Sequence, residues 1–193
     1  MNDELKLLFN ILLSKEPSRL IKENEEYIFS IIPELKNTKG FNQNNLWHIY
    51  DVYEHILHVI DGVPGDLTLR LVALFHDIGK PFTYTVDENN VGHFYNHWGK
   101  SCEIFLDFSL KYNLPSVLTN LVHKLIYYHD INLSKLNEIE YNKLLNEFSI
   151  DEINMLFAVK KSDLLAQSPE FHFLLKEYDK QMNDAINKLT RKK

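Results

Sequence analysis

Segments that read as amphipathic helices carry a metal-ligand type of residue where the apolar stripe should continue: His55, the adjacent His76-Asp77, His97, His129 and Asp163. A buried imidazole or carboxylate is costly unless it is paired, hydrogen-bonded or bound to a cation. A bundle that turned these faces inward would converge the costly groups on one cavity, where together they can hold a metal ion. The sharpest case is ALFHDIGKP, residues 73–81, in which Leu74 and Phe75 run straight into His76 and Asp77 before Gly79 and Pro81. If that doublet only faced water, the apolar residues would have no reason to lead into it.

The 3.6-residue spacing recurs along nearly the whole chain. Leu5, Leu8, Phe9 and Leu12 form one stripe over residues 3–14, and Tyr27, Ile28, Ile31 and Ile32 a second over 24–35. KNTKGFNQNN, residues 36–45, is a polar connection. Asp51 and Glu54 have capping-box spacing and start a helix through His55, Ile56, Val59 and Ile60 that GVPG at 62–65 ends. The next predicted helix runs from Leu67 to Ile78, closed by Gly79 and Pro81. FTYTV at 82–86 is the one good strand signal, and DENN can turn it back on VGHFY at 91–95. Asn96 is placed to cap a helix from His97 to about Tyr112, and Pro115 to open one to about Asp130. Ser134 begins a more polar helix to about Phe148, Ser149 or Asp151 caps one through Leu165, and Pro169 opens the last. The expectation is a single all-α domain over 1–193 with a small β-hairpin insert near residues 82–95. Its motif-bearing core covers about 46–165, with N-terminal helices (1–40) and a C-terminal helix (169–190) packed on it.

Composition narrows the function classes. No apolar run approaches the roughly eighteen residues of a membrane span. The opening MNDELKLLFN is acidic and amphipathic rather than basic and then apolar, and Cys102 is the single cysteine, so a cytoplasmic location is expected. A net charge of −6 advertises no nucleic-acid-binding face, and Arg191-Lys192-Lys193 is only a short basic tail. An acidic protein that handles phosphate must concentrate positive charge locally, which metal ions do. Imidazole with carboxylate suits Fe, Mn, Ni, Co or Zn rather than an all-oxygen Mg or Ca site. Oligomeric state has no signal in the sequence.

HDIGK, preceded by an upstream histidine and followed far downstream by an aspartate, resembles the HD-domain superfamily of metal-dependent phosphohydrolases. The longer stretch WHIYDVYEHILHVID…RLVALFHDIGKPFTYTVDENNVGHFYNHWGKSCE, from Trp47 to Glu103, is similar to the HD domain attached to bacterial tRNA nucleotidyltransferases. The Gly-Ser motif with paired aspartates of the nucleotide-adding domain does not occur, so the chain resembles a free-standing version of the accessory domain. The resemblance implies His55 as the first ligand, His76-Asp77 as the doublet and Asp163 as the last ligand. Two-metal members add two further histidines, and His97 and His129 are placed for those roles. Asp77 would then bridge the ions, because consecutive helical residues diverge by about 100° and cannot simply chelate one.

The implied activity is that of a phosphatase or phosphodiesterase. A metal-activated water would hydrolyse a phosphomonoester or cyclic phosphodiester of a small nucleotide-like substrate, using one or two ions of Fe, Mn, Ni or Co. Lys80 could hold a phosphate oxygen beside the catalytic Asp77, or equally neutralise the carbonyls at its helix end. His93 and His48 are further candidates for substrate binding, and His58 or His93 for the general acid. Tyr127, Tyr128, Phe94 and Tyr95 flank the ligands and either stack on a base or pack in the core. Other readings stay open: Asp163 as a surface partner of Lys160, a one-metal nucleotidase in which His97 and His129 bind phosphate, or a non-catalytic HD-fold binding module.

Overall fold

A computed structural model of the chain describes residues 3–191, which leaves Lys192 and Lys193 of the basic tail outside the described residues. Among the described residues the fold is all-α apart from one two-stranded hairpin. Helix α1 (Asp3–Leu12) buries Leu5, Leu8 and Leu12. It is followed by α2 (Pro17–Glu23), which periodicity does not reveal because seven residues repeat the apolar spacing too few times. The segment read as one helix over 24–35 is α3 (Glu25–Ile31) and then a 3-10 turn, Pro33–Thr38. Pro33 lacks the N–H that would continue the α-helical ladder.

Helix α4 (Val52–Gly62) starts where expected, with Asp51 accepting the Glu54 N–H at 2.7 Å. The capping box is only half formed, because the Glu54 carboxylate instead accepts from Lys22 at 2.8 Å. Val52, Ile56, Val59 and Ile60 enter the core on the face that carries His55. Helix α5 (Leu67–Phe75) is shorter than the expected Leu67–Ile78, with His76 as its C-cap. Pro81 does not close it but sits in the first turn of a one-turn helix, α6 (Lys80–Thr83), where its missing N–H costs nothing. Phe82 and Thr83 are therefore helical, and the hairpin narrows to β1 (Tyr84–Val86) against β2 (Gly92–Phe94), paired antiparallel with Thr85 opposite His93.

Helix α7 (His97–Lys111) follows Asn96, whose backbone is left-handed at φ 61° and whose side chain makes no cap bond; that side chain lies against Gly99 instead. Helix α8 (Ser116–Tyr128) follows Pro115. The polar helix expected from Ser134 begins later, as α9 (Glu138–Leu145), because Asn137 and Glu140 supply a complete capping box. A second complete box, Ser149 with Glu152, starts α10 (Ile150–Leu165). Pro169 opens a 3-10 turn, Pro169–Leu174, before α11 (Leu175–Arg191). One contiguous apolar core runs from Leu5 on α1 to Ala185 on α11, and His55, His76 and Asp77 are buried at its edge. Among the described residues no helix is long and apolar enough to cross a membrane.

Candidate metal centre

The turn after α5 is the pivot of the site. Gly79 lets it approach the start of α7 closely: a Cβ at Gly79 would lie 2.5 Å from the His97 carbonyl oxygen and 2.7 Å from the Ser101 nitrogen. The Gly79 N–H donates to Ser101 Oγ at 3.0 Å. The glycine therefore serves close packing, at φ −77°, and brings Asp77 beside His97. Helix α4 supplies His55 from one side, α10 supplies Asp163, and the C-terminal end of α8 supplies His129.

Among the described residues, ligand-type atoms converge in two groups: His55, His76, Asp77 and Asp163, and Asp77, His97 and His129. Asp77 belongs to both, and in the first it converges with its neighbour His76, against the expectation from helical spacing, because α5 ends at Phe75 and the pair lies in the turn that follows. Asp77 Oδ2 lies 3.2 Å from His55 Nε2 and 3.3 Å from His76 Nε2, while its Oδ1 lies 3.2 Å from His97 Nε2 and 3.7 Å from His129 Nε2. Asp163 Oδ1 stands 3.0 Å from His55 Nε2 and 4.0 Å from His76 Nε2.

The four imidazoles share one arrangement. Nδ1 of His55, His76, His97 and His129 faces the carbonyl oxygen of Ala166, Ala73, Phe94 and Ile126, at 3.3, 2.8, 2.9 and 2.7 Å. A carbonyl only accepts, so Nδ1 carries a proton and Nε2 is the atom turned toward the carboxylates, with a lone pair whenever the ring is neutral. Acceptor then meets acceptor. Nε2 of His55 and of His76 is buried without a hydrogen-bond partner, and Nε2 of His97 lies 3.2 Å from Nε2 of His129. Such orphaned acceptors cost about 1–3 kcal/mol each, and a cation among them removes that cost. Backbone carbonyls that orient imidazoles in this way are the usual outer support of histidine metal ligands. The donor set fits a metal ion.

Without a metal, a proton on Nε2 is the other way to relieve these contacts, and His55 takes one. Burial opposes an imidazolium at His55, yet the Asp163 and Asp77 carboxylates outweigh it and push its pKa up to about 9. Asp77, despite burial, is held well below the ordinary carboxylate range by His76, Lys80, His129 and His55. Asp163, also against burial, is held low by His55 and His76. Two ionised carboxylates facing imidazole nitrogens attract a cation.

The remaining candidates sit around this cluster. Lys80 is only 5% exposed; its ammonium lies 2.6 Å from Asp77 Oδ2, donates to Gln43 Oε1 at 2.8 Å and faces His48 Nε2 at 3.2 Å. It opens α6 rather than ending α5, so the carbonyls at that helix end are not its partners. His48 Nδ1 donates to Asn45 Oδ1 at 2.8 Å, and burial together with Lys80 lowers its pKa to about 2, so the ring is neutral. His93 lies at the cavity but directs Nε2 to Asp87 Oδ2 across the hairpin at 3.0 Å. His58 is exposed and stacks on Tyr50 at 4.2 Å between ring centres.

Two supporting roles escaped sequence reasoning. Gln43 anchors Lys80 from the 41–45 segment, on which the hairpin rests through the Gly92 N–H to Asn44 carbonyl bond at 2.8 Å. Lys160, buried on α10, does not pair with Asp163 but donates to the carbonyls of His129 at 2.8 Å and Ile131 at 2.7 Å. The only signal for Lys160 was its place one turn before Asp163 on the inner face of a predicted helix. A cavity of about 280 Å³ opens over the cluster, lined by His48, Lys80, His93, His97, Trp98 and Asp163 among others.

Fold and site together define a helical protein with a buried histidine–carboxylate centre suited to metal. No family model matches the chain. Over 108 residues, 53% of the chain, it is 28% identical to the A-adding tRNA nucleotidyltransferase of Deinococcus radiodurans, and the match spans 25% of that protein's length.

Proposed function

We propose that the chain is an HD-type metal-dependent phosphohydrolase, cleaving a phosphomonoester or cyclic phosphodiester of a small nucleotide-like substrate. The observation that carries this reading is Asp77, whose two oxygens each face a different pair of histidine nitrogens. A carboxylate so placed is suited to sharing between two cations. His55, His76, Asp77 and Asp163 would hold one ion, and Asp77, His97 and His129 the other. Fe, Mn, Ni or Co at these positions would supply an activated water for attack on phosphorus and positive charge for the phosphoryl oxygens.

The chain's own residues prepare that chemistry. Backbone carbonyls hold the Nδ1–H of the four imidazoles, so Nε2 is the atom left to take a metal, His55 giving up its second proton to do so. Lys80 offsets the charge of Asp77 and fixes its orientation, and neutral His48 accepts from Lys80 at the cavity wall. The HDIGK pattern and the 28% identity to a tRNA nucleotidyltransferase support a phosphate-bearing, nucleotide-type substrate. A cytoplasmic location and one HD-type domain over 1–193 go with this reading.

The test is metal content by plasma mass spectrometry on protein purified anaerobically without chelator, beside Asp77→Ala, with a phosphoester screen. About two transition-metal ions per chain, lost in the variant together with hydrolysis, is the expected result. One ion per chain, retained after His97 and His129 are replaced, would instead favour a mononuclear nucleotidase. No metal bound, even after Mn, Fe, Ni or Co is added, would overturn both and leave a binding module.

A further inference from the structure

The cavity over the histidines continues sideways. Trp98, whose ring meets the His97 ring edge-on at 5.4 Å between centres, also lines a neighbouring cleft of about 410 Å³ with Tyr127, Tyr128 and Ile131. Asp130 borders both spaces. The chain order explains the adjacency: Trp98 follows His97 at the start of α7, and Tyr127, Tyr128 and Asp130 bracket His129 at the end of α8. The two helix ends that deliver imidazoles to the centre thus deliver aromatic rings beside it.

These rings are not equally committed to packing. Phe94 lies against Phe41 and Tyr84, and Tyr128 packs on Phe148 while its hydroxyl donates to Glu147 at 2.9 Å. Tyr127 remains 48% exposed at the cleft. The cleft lining, Trp98, Tyr127, Tyr128, Asp130 and Ile131, holds no cationic side chain. Its one charge is the Asp130 carboxylate, which repels a further phosphate but accepts from hydroxyl donors. Every nucleobase presents a flat π-face, and aromatic side chains take it regardless of base identity.

We infer that this cleft is a nucleobase subsite and that the substrate is a free nucleoside monophosphate. The phosphate reaches the His/Asp centre, the base lies against Trp98 and Tyr127, and a ribose hydroxyl donates to Asp130. The identity of the substrate rests on the phosphohydrolase reading above, whereas base binding in the cleft does not. A polynucleotide, or a nucleotide with further phosphates on the base side, would meet Asp130 in a cleft whose lining has no cation; Lys160, which acts on Asp130, is turned to the carbonyls of His129 and Ile131 instead.

The experiment uses the full chain in a Trp47→Phe background, which leaves Trp98 as the remaining tryptophan of two. Adenosine is titrated into metal-free protein and AMP into metal-loaded protein, with tryptophan fluorescence as the readout. Adenosine should quench Trp98. Tyr127→Ala should weaken adenosine binding about tenfold, whereas Tyr127→Phe, which keeps the ring, should retain it. The ratio of kcat/KM for AMP to that for glycerol phosphate should also fall about tenfold in Tyr127→Ala. Tyr127-dependent adenosine binding without hydrolysis of any phosphoester would keep the subsite and remove the phosphohydrolase reading. Absence of adenosine binding at millimolar concentration, or binding equal in wild type and Tyr127→Ala, would overturn the inference. Hydrolysis confined to oligonucleotide ends would overturn the free-mononucleotide assignment.

Discussion

Replacing Lys160 by methionine removes the cation that ties α10 to the end of α8 while keeping much of the side chain's bulk. The ammonium donates to the carbonyls of His129 at 2.8 Å and Ile131 at 2.7 Å, and it lies over the Tyr178 ring at 5.1 Å. Hydrogen bonds from a charged group contribute about 1.5–3 kcal/mol each. Burial of that charge works against them and lowers the lysine's pKa. We therefore expect a net loss of about 2 kcal/mol, or about 4–8 °C in Tm for a chain of this size. The freed His129 carbonyl also loosens the imidazole, so affinity at the Asp77, His97 and His129 group should fall about 10–100-fold, as for other outer supports of metal ligands. The group built on His55, His76 and Asp163 should keep its ion. Thermal unfolding of metal-free protein and metal titration followed by plasma mass spectrometry measure both effects. Lys161→Met is the control, because Lys161 makes a more exposed ion pair with Asp179 that contributes about 1 kcal/mol or less. A Lys160→Met protein with wild-type Tm and wild-type affinity for both ions would refute the reasoning. Equal loss of both ions would also refute it, by showing a fold-wide effect.

Metal affinity should depend on pH through His55. In metal-free protein its pKa is raised to about 9, so the stability it contributes is fully present below its unfolded value near 6.5 and is lost as pH rises through 9. Metal must displace that proton, so affinity, and the Tm gain on adding Mn, should be larger at about pH 8.5 than at about pH 6.5; a gain independent of pH would count against the imidazolium. Gly79→Ala should push the start of α7 away, since the new Cβ would sit 2.5 Å from the His97 carbonyl, costing about 1–3 kcal/mol and weakening the ion on His97 first. Metal titration that leaves both affinities intact would show that the approach is softer than it looks. The Cys102 thiol, raised to about 12 by burial, should resist iodoacetamide at pH 8 until the chain unfolds, and rapid labelling of native protein, read by mass spectrometry, would contradict its burial.

Periodicity located the longer helices well, because α4, α7 and α10 each repeat their apolar stripe over several turns. It missed α2, with seven residues, and overran α5, because proline spacing alone does not tell a helix end from a new first turn at Pro81. The ligand types were legible for the same reason as the helices: histidine and aspartate stand out on a stripe that should be apolar. Lys160 was not legible, since its partners are main-chain carbonyls near the end of another helix and no residue pattern advertises a carbonyl. Nor was the confinement of Lys80 by Gln43 and His48, which arrive from a loop without periodicity.

By itself the sequence determined which residues share the inner face of each helix and that those faces carry imidazoles and carboxylates. Those are local properties, set by a repeat of about 3.6 residues along one chain segment. Only the tertiary structure decided that Oδ1 and Oδ2 of Asp77 look toward different histidines, and that Trp98 and Tyr127 flank the cavity beside them. Those relations depend on how closely separate helices approach, as at Gly79 and His97, and that spacing comes from packing across the whole core.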